Sequence, residues 1–245
     1  MLKDFDASNG SDPRSNDLLA HLPQAEYEKL IRGSRVVTLK HAQLLFADGE
    51  PQNMAYFPLT ALVSMIAEMK DGSAVEYGSI GREGMVGVQV ALGAQPLRGR
   101  AICQLEGTAL CVDGSAIQDL AQLGRSPELH RLLLRYAQAT INVLAQSAAC
   151  NALHSVRQRC ARWLLITRDR AGSQNFKLTQ EFLAMMLGLP RTSVTATAAD
   201  FQREGAIKYS RGNVSILKEP ALNQWACECY DVIADEYRQV FQAAA

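Results

Sequence analysis

A chain of 245 residues, 48% of them apolar, is long enough for one large or two small domains and apolar enough to bury their cores. No run approaches the roughly 18 uninterrupted apolar residues of a membrane-spanning helix. The opening MLKDFDASNGSDPRSNDLLA is polar where a secretion signal is basic and then apolar, so a cytoplasmic protein with no membrane partner is expected. The 25 Lys+Arg balance 25 Asp+Glu, but unevenly: residues 155–220 carry 11 basic against 5 acidic residues, and the other 179 carry 14 against 20. A neutral chain with one basic segment has a place for a polyanion.

In chain order, residues 1–16 read as a polar tail. Residues 17–32, DLLAHLPQAEYEKLIR, read as short helices with Leu18, Leu19, Leu22, Tyr27, Leu30 and Ile31 on an apolar side. From about 35 to 113 the texture changes to short apolar runs, VVTL, QLLF, AYFPL, ALVSMIAEM, AVEYGSI, RAICQLEG and ALCVD. Asp48-Gly49, Asp71-Gly72, Gly81, Gly84, Gly93 and Gly107 punctuate them, the pattern of an antiparallel β-sandwich or barrel.

Ser126-Pro127-Glu128 supplies an N-cap, a proline at the first helical position and an acidic first turn. The helix it opens meets no breaker before about Asn151 and carries two adjoining seams. One is Leu133, Tyr136, Thr140, Val143, Ser147 and Cys150; the other is Leu134, Ala137, Ile141, Leu144 and Ala148. One seam can cover the β domain while the other meets a second copy of the helix, and the row Leu133, Tyr136, Thr140, Val143 and Ser147 is taken as the dimer seam. A further helix, HSVRQRCARWLLITRDRAG, follows a boundary near 151–155 and ends at Ala171-Gly172-Ser173.

Six cysteines, at 103, 111, 150, 160, 227 and 229, are scattered through a chain without a secretion signal, which favours reduced thiols. Cys227-x-Cys229 has neither the spacing of a metal knuckle nor that of a redox pair and is assigned to packing, so no metal is expected. His21, His41, His130 and His154 lie far apart in sequence and read as surface or packing residues. No nucleophile elbow, phosphate-binding loop or H-E-x-x-H occurs, and the reading is not an enzyme.

The stretch LTQEFLAMMLGLPRTSVT, residues 178–195, is a good helix interrupted by Gly-Leu-Pro. Thr179 caps it and Glu181 complements its macrodipole. Counting from Gln180, the fifth residue is Ala184, which allows close helix approach, and the ninth is Gly188, which allows a tight turn. Leu189 and Val194 anchor the core, while Thr197 stands where an apolar residue is usual. Pro190 opens a second helix whose exposed side carries Arg191, Thr192, Ser193 and Thr195, with Thr179 and Gln180 beside them. This is the geometry of a recognition helix entering the major groove of double-stranded DNA, where arginine can read guanine. AIKYS and NVSIL, joined at Arg211-Gly212, read as a β-wing that brings Lys208 and Arg211 to the phosphates.

These features together resemble the Crp/Fnr family of bacterial transcription regulators over about residues 17–220. The carriers are LLFADGEPQNMAYFPLTALVSMIAEMKDG, the helix from Ser126, and LTQEFLAMMLGLPRTSVT with its RG wing. The resemblance implies an α+β chain: a jelly-roll sensor of cyclic-nucleotide-binding type (17–125), a dimerisation helix (126–152), a winged helix-turn-helix (153–220) and a C-terminal helical extension (221–245). It implies a homodimer on a palindromic operator and contact with RNA polymerase.

It places the sensor pocket at Gly84, Met85, Gly87, Arg98, Arg100 and Thr140. In family members that bind cyclic AMP, a glutamate takes the ribose hydroxyl and an Arg-Ser or Arg-Thr pair meets the phosphate. Here Arg100 is followed by Ala101, and Gly84-Met85 and Gly87-Val88 lack the glutamate. Losing such contacts costs roughly 1–3 kcal/mol each. An effector other than cyclic AMP is therefore expected, with no bound cofactor; the alternatives are a vestigial, ligand-independent sensor or control by a cyclic nucleotide. Iron–sulfur sensing needs cysteines near the N-terminus, and the first is Cys103. No Cys or His stands out as a haem ligand.

Overall fold

Turn residues divide the first half of the chain into short apolar runs, and those runs fold as strands. The structure, a computed structural model, describes residues 12–93, 98–122 and 124–242. Two short helices, α1 (Asp17–Ala20) and α2 (Gln24–Ile31), precede β1 (Arg35–Leu39), β2 (Leu44–Phe46), β3 (Met54–Pro58), β4 (Leu62–Glu68) and β5 (Ala74–Ile80). After α3 (Val88–Ala91) come β6 (Arg100–Leu105), β7 (Gly107–Asp113) and α4 (Gly114–Leu120). β7 lies between β1 and β3, antiparallel to both, with Arg35 opposite Cys111 and Met54 opposite Asp113. The other sheet runs β2-β6-β4-β5. Leu39, Phe57, Leu62, Ala101, Leu110 and Val112 are buried core residues of these strands.

The second half is α5 (Pro127–Leu153), α6 (Val156–Ala171), β8 (Asn175–Lys177), α7 (Gln180–Leu187), α8 (Arg191–Arg203), β9 (Ile207–Ser210), β10 (Asn213–Ile216), α9 (Glu219–Trp225) and α10 (Cys229–Phe241). The chain forms two compact units. The first holds the residues up to Met65, then Ser79–Ile141 and the chain from Tyr237; the second holds Ile66–Gly78 and Asn142–Glu236. The tip of the β4–β5 hairpin thus groups with the second unit, a discontinuity that the sequence pattern does not reveal. Among the described residues, no helix is long and apolar enough to cross a membrane.

Residues 1–11 of the expected N-terminal tail lie outside the described residues. Its last part is ordered structure rather than tail: Pro13–Ser15 form a 3-10 turn, and Asn16 is fully buried. The Asn16 side chain accepts from the N–H groups of Leu18 and Leu19, capping α1. Its amide donates to the carbonyls of Pro58 at 2.9 Å and Gly84 at 2.8 Å.

The start of α5 also differs from the expected cap. Ser126 Oγ is buried without a hydrogen-bond partner, and it is the Glu26 carboxylate of α2 that accepts from the N–H of Leu129 at 2.8 Å and of Glu128 at 3.3 Å. A carboxylate at this end also complements the helix macrodipole.

The expected dimer seam on α5 is corrected. Leu133 is 2% exposed, Tyr136 1%, and Val143 and Ser147 are buried as well, so this row packs within the chain. Tyr136 donates to the Met85 carbonyl at 3.1 Å, and its ring lies 6.0 Å from that of Tyr237. Thr140 donates to the carbonyl of Tyr136, one turn back in its own helix. On the same helix Asn142 donates to Glu236 of α10 at 2.8 Å, and Arg135 to the Gln239 carbonyl at 2.7 Å. The outward row is Leu134, Gln138, Ile141, Ala145 and Ala148, spaced alternately by four and three residues, with Leu134 49% and Ile141 60% exposed. Of the expected second seam, Leu134, Ile141 and Ala148 face outward, while Ala137 and Leu144 are half-buried.

Asn16→Ala removes a helix cap and one donor from each of two carbonyls, a loss of roughly 2–4 kcal/mol. Urea unfolding should show this as a lower midpoint; an unchanged midpoint would mean that Asn16 does not anchor the first unit.

Candidate nucleic-acid interface

The sequence of α7 and α8 determines both their ends and their inner faces. Thr179 Oγ1 accepts from the Phe182 N–H at 3.1 Å and starts α7, which buries Leu183, Ala184, Met186 and Leu187. Gly188 ends it at φ +59°, a left-handed conformation in which glycine carries no Cβ penalty, and its N–H reaches back to the Ala184 and Met185 carbonyls. The chain then turns through Leu189, and Pro190 stands at the N-cap of α8, one place earlier than expected. The inner face of α8 is Val194, Thr197, Ala198 and Phe201. Thr197 fits there because its hydroxyl donates to the Ser193 carbonyl at 2.9 Å, satisfying the polar group within the helix.

The outer face of α8 is polar at its N-terminal end. Arg191, Thr192 and Thr195 are exposed and Ser193 is half-buried. The Thr195 hydroxyl donates to Gln180 Oε1 at 2.8 Å, which fixes the start of α7 against α8. Thr179 and Thr195 therefore engage their oxygens within the chain while remaining exposed, so both act first as positioning groups.

Next to this face lies the sheet β8-β10-β9. β9 and β10 pair antiparallel with Ser210 opposite Asn213, leaving Arg211-Gly212 as a two-residue turn. Both turn residues have positive φ, +49° and +75°, as such a hairpin turn requires. Lys208 and Arg211 are exposed, and so is Lys177 on β8, a strand and a cation that the sequence pattern did not single out. Tyr209 seats the wing: its hydroxyl donates to the Leu178 carbonyl, its N–H donates to Gln202 Oε1 at 2.9 Å, and burial pushes the phenol up to about 12.

Much of the basic balance of residues 155–220 is engaged internally. Arg159 is buried and donates to the Leu187 carbonyl, bracing the end of α7. Arg157 pairs with Glu204 at 2.8 Å and lies 4.3 Å from the Trp225 ring centre, and Trp225 stacks on Phe201 at 5.0 Å. Arg168 pairs with Asp169 and Glu219, and Arg203 with Asp200. Arg191, Lys208, Arg211, Lys177 and Lys218 are exposed. The hairpin tip braces the same unit: Trp163 donates to Glu76 at 3.0 Å, and a Cβ on Gly188 would lie 3.1 Å from a Val75 methyl.

The six expected sensor residues differ in environment. A Cβ on Gly84 would lie 2.2 Å from the Tyr136 hydroxyl, so this glycine exists to admit α5. Met85 is fully buried, and Gly87, at φ +95°, packs toward Phe46 and the backbone of Met54 and Ala55. Arg98 is almost entirely exposed, 3.9 Å from Asp48; Arg100 is half-buried; the Thr140 hydroxyl is engaged in its own helix. A cavity of about 200 Å³ lies beside β2 and β3, lined by Phe46, Glu50, Gln52, Asn53, Met54 and Tyr56 among others and by none of the six.

One constellation was missed altogether. Cys150, His154, Cys227 and Cys229 converge, their ligand atoms all within 4.8 Å of one another. Burial raises the Cys227 and Cys150 thiols above their ordinary range. Cys150 and His154 are four apart at a helix end, a spacing that shares a face, but the second half of the set is 73 positions further along.

Residues 158–225 match the model of the Crp-like helix-turn-helix domain. The chain is 26% identical over 187 residues to a CRP-like cAMP-activated global transcriptional regulator of Mycobacterium tuberculosis, covering 74% of this chain and 83% of that protein. In fold it is similar to FixK2 from Bradyrhizobium japonicum, at a TM-score of 0.67 and 15% identity over 79% of this chain and 98% of that one. It is likewise similar to a CRP-family transcriptional regulator from Thermus thermophilus, at 0.65 and 21% identity over 78% and 96%.

Gly188→Val places a β-branched residue in the left-handed region, at a cost of roughly 1–2 kcal/mol, with Val75 in the way. Thermal unfolding should register that loss, and a variant as stable as the parent would show that the turn tolerates a side chain.

Proposed function

We propose that the chain is a DNA-binding transcription regulator of the Crp/Fnr type that acts as a homodimer, each α8 reading one half of a two-fold symmetric site through the major groove. The observation that carries this is the exposed N-terminal end of α8, with Arg191 and Thr192, flanked by the cationic wing tip at Arg211. Arg191 is placed on an element that can present it to a guanine edge, and Thr192 and Ser193 can hydrogen-bond bases or phosphates. Lys208, Arg211 and Lys177 would meet phosphates and set the register of the protein on the duplex.

The second protomer would meet the first along the outward row of α5. Leu134, Gln138, Ile141, Ala145 and Ala148 have the spacing by which two helices pack knobs into holes. Half-sites would then lie about one helical turn of DNA, roughly 34 Å, apart.

The signal that controls DNA binding is something other than cyclic AMP. The mycobacterial relative is described as cAMP-activated, but here Ala101 stands where a phosphate-binding hydroxyl would be, and Gly84 is covered by Tyr136. A signal would act by changing the balance between two arrangements of the DNA-binding elements, through differential affinity for them. The junction at His154-Ser155 is where such a change would be absorbed. There α5 stops and α6 begins anew with a Ser155–Gln158 capping box.

The DNA-facing residues and the helix row can be tested separately. Arg191→Ala should relax base preference at one position of the site, by roughly 1–3 kcal/mol against the wrong base, whereas Arg211→Ala should weaken all sequences alike and lower the salt slope by about one. Binding titrations on matched and mismatched duplexes separate the two, and no effect from either would mean that the faces are misassigned. The double variant Leu134→Glu with Ile141→Glu should sediment as a monomer with its fold intact; a dimer that persists contradicts the outward row as the interface.

A further inference from the structure

Where α5 hands over to α6, four ligand-bearing side chains from two distant stretches of chain share one small volume. Cys150 lies on the last turn of α5 and His154 just beyond it; Cys227 and Cys229 bracket the turn from α9 into α10. All four ligand atoms lie within 4.8 Å of one another. Cys150 Sγ is 3.5 Å from Cys227 Sγ, and Cys229 Sγ is 3.5 Å from His154 Nδ1. A disulfide would need about 2.05 Å, so the sulfurs touch without bonding.

The two separations of 3.5 Å are close to the edges of one coordination sphere. With Zn–S about 2.3 Å and Zn–N about 2.0–2.1 Å, a tetrahedron has S···S edges near 3.8 Å and S···N edges near 3.5 Å. We propose that Cys150, His154, Cys227 and Cys229 form a tetrahedral Cys3His site for a single zinc ion. Three thiolates and an imidazole suit zinc and disfavour the hard, oxygen-seeking magnesium and calcium.

The surroundings are those of a metal centre. His154 turns Nδ1 toward the sulfurs, and its other ring nitrogen lies 3.3 Å from Glu228 Oε1, the carboxylate–histidine arrangement that orients a metal-bound imidazole. Gln146 donates its side-chain N–H to Cys229 Sγ at 3.0 Å, the kind of bond that holds a thiolate in place. The three cysteines are buried, at 0%, 4% and 0% exposure, so four protein ligands close the site and leave no open position for catalysis. Arg162 is buried on the next helix, and its charge acts on Cys150. Three thiolates around one zinc carry a net charge of −1, which supplies that guanidinium with a counter-charge.

The ion would tie the end of α5 and the α5–α6 junction to the α9–α10 turn. Because a thiolate site assembled from distant segments exists only in the folded chain, binding would stabilise that arrangement.

The test is metal analysis of full-length protein purified under reducing conditions, followed by removal with a chelator and titration with cobalt, which reports tetrahedral thiolate ligation by its visible bands. The expected result is one zinc per chain, one cobalt per chain with the tetrahedral spectrum, and a lower melting temperature after chelation that zinc restores. Cys227→Ser and Cys229→Ser should lose the ion and the spectrum, while Cys160→Ser, a buried thiol outside the cluster, should keep both. Folded wild-type protein that takes up neither ion overturns the proposal, as does a folded Cys227→Ser variant with unchanged stoichiometry and spectrum. Should the serine variants not fold, the wild-type stoichiometry and cobalt spectrum decide between these outcomes.

Discussion

A helix of 27 residues with apolar side chains on two adjoining rows must cover both, and α5 meets that constraint in two different ways. Its inner row is closed by its own chain: Tyr136 reaches the Met85 carbonyl through the space that Gly84 leaves, and α10 supplies Tyr237 and Glu236 along its length. Its outer row leaves Leu134 and Ile141 exposed. Exposed apolar side chains at coiled-coil spacing are the physical reason to expect a second copy. The same closure sets Tyr136 against Gly84 and buries Met85 completely.

The DNA-facing surface depends on a different, very local constraint. Gly188 takes a conformation open to glycine, Pro190 starts the next helix, and the Thr195–Gln180 bond and the Arg159 contact on the Leu187 carbonyl fix one helix against the other. Buried arginines stiffen the scaffold, while Arg191, Lys208, Arg211, Lys177 and Lys218 are exposed. The division of labour is sharper than the total charge suggests: much of the basic excess of this segment braces the fold.

What could be read from the sequence is what is encoded locally. The strand runs, the Thr179 cap, the Gly188 turn and the Arg211-Gly212 hairpin each rest on residues close together in the chain, and each occurs where local chemistry expects it. What could not be read depends on contacts across long separations. Glu26 capping α5, Asn16 holding two distant carbonyls and the choice between the two rows of α5 carry no local signature. The Cys/His cluster is the extreme case, since Cys227-x-Cys229 resembles no metal knuckle until Cys150 and His154 are brought beside it. Likewise, the packing of Gly84 against Tyr136 and of Gly87 against the backbone of Met54 and Ala55 is set by distant contacts.

The central claim is that two copies of α8, held at a fixed spacing, read a symmetric DNA site. It is tested most directly by selecting bound duplexes from a random pool with the purified full-length protein, with and without cyclic AMP. The account predicts a palindrome whose half-sites lie about one helical turn apart, recovered equally in both samples. Recovery of an asymmetric single half-site, or of no sequence at all, would contradict it.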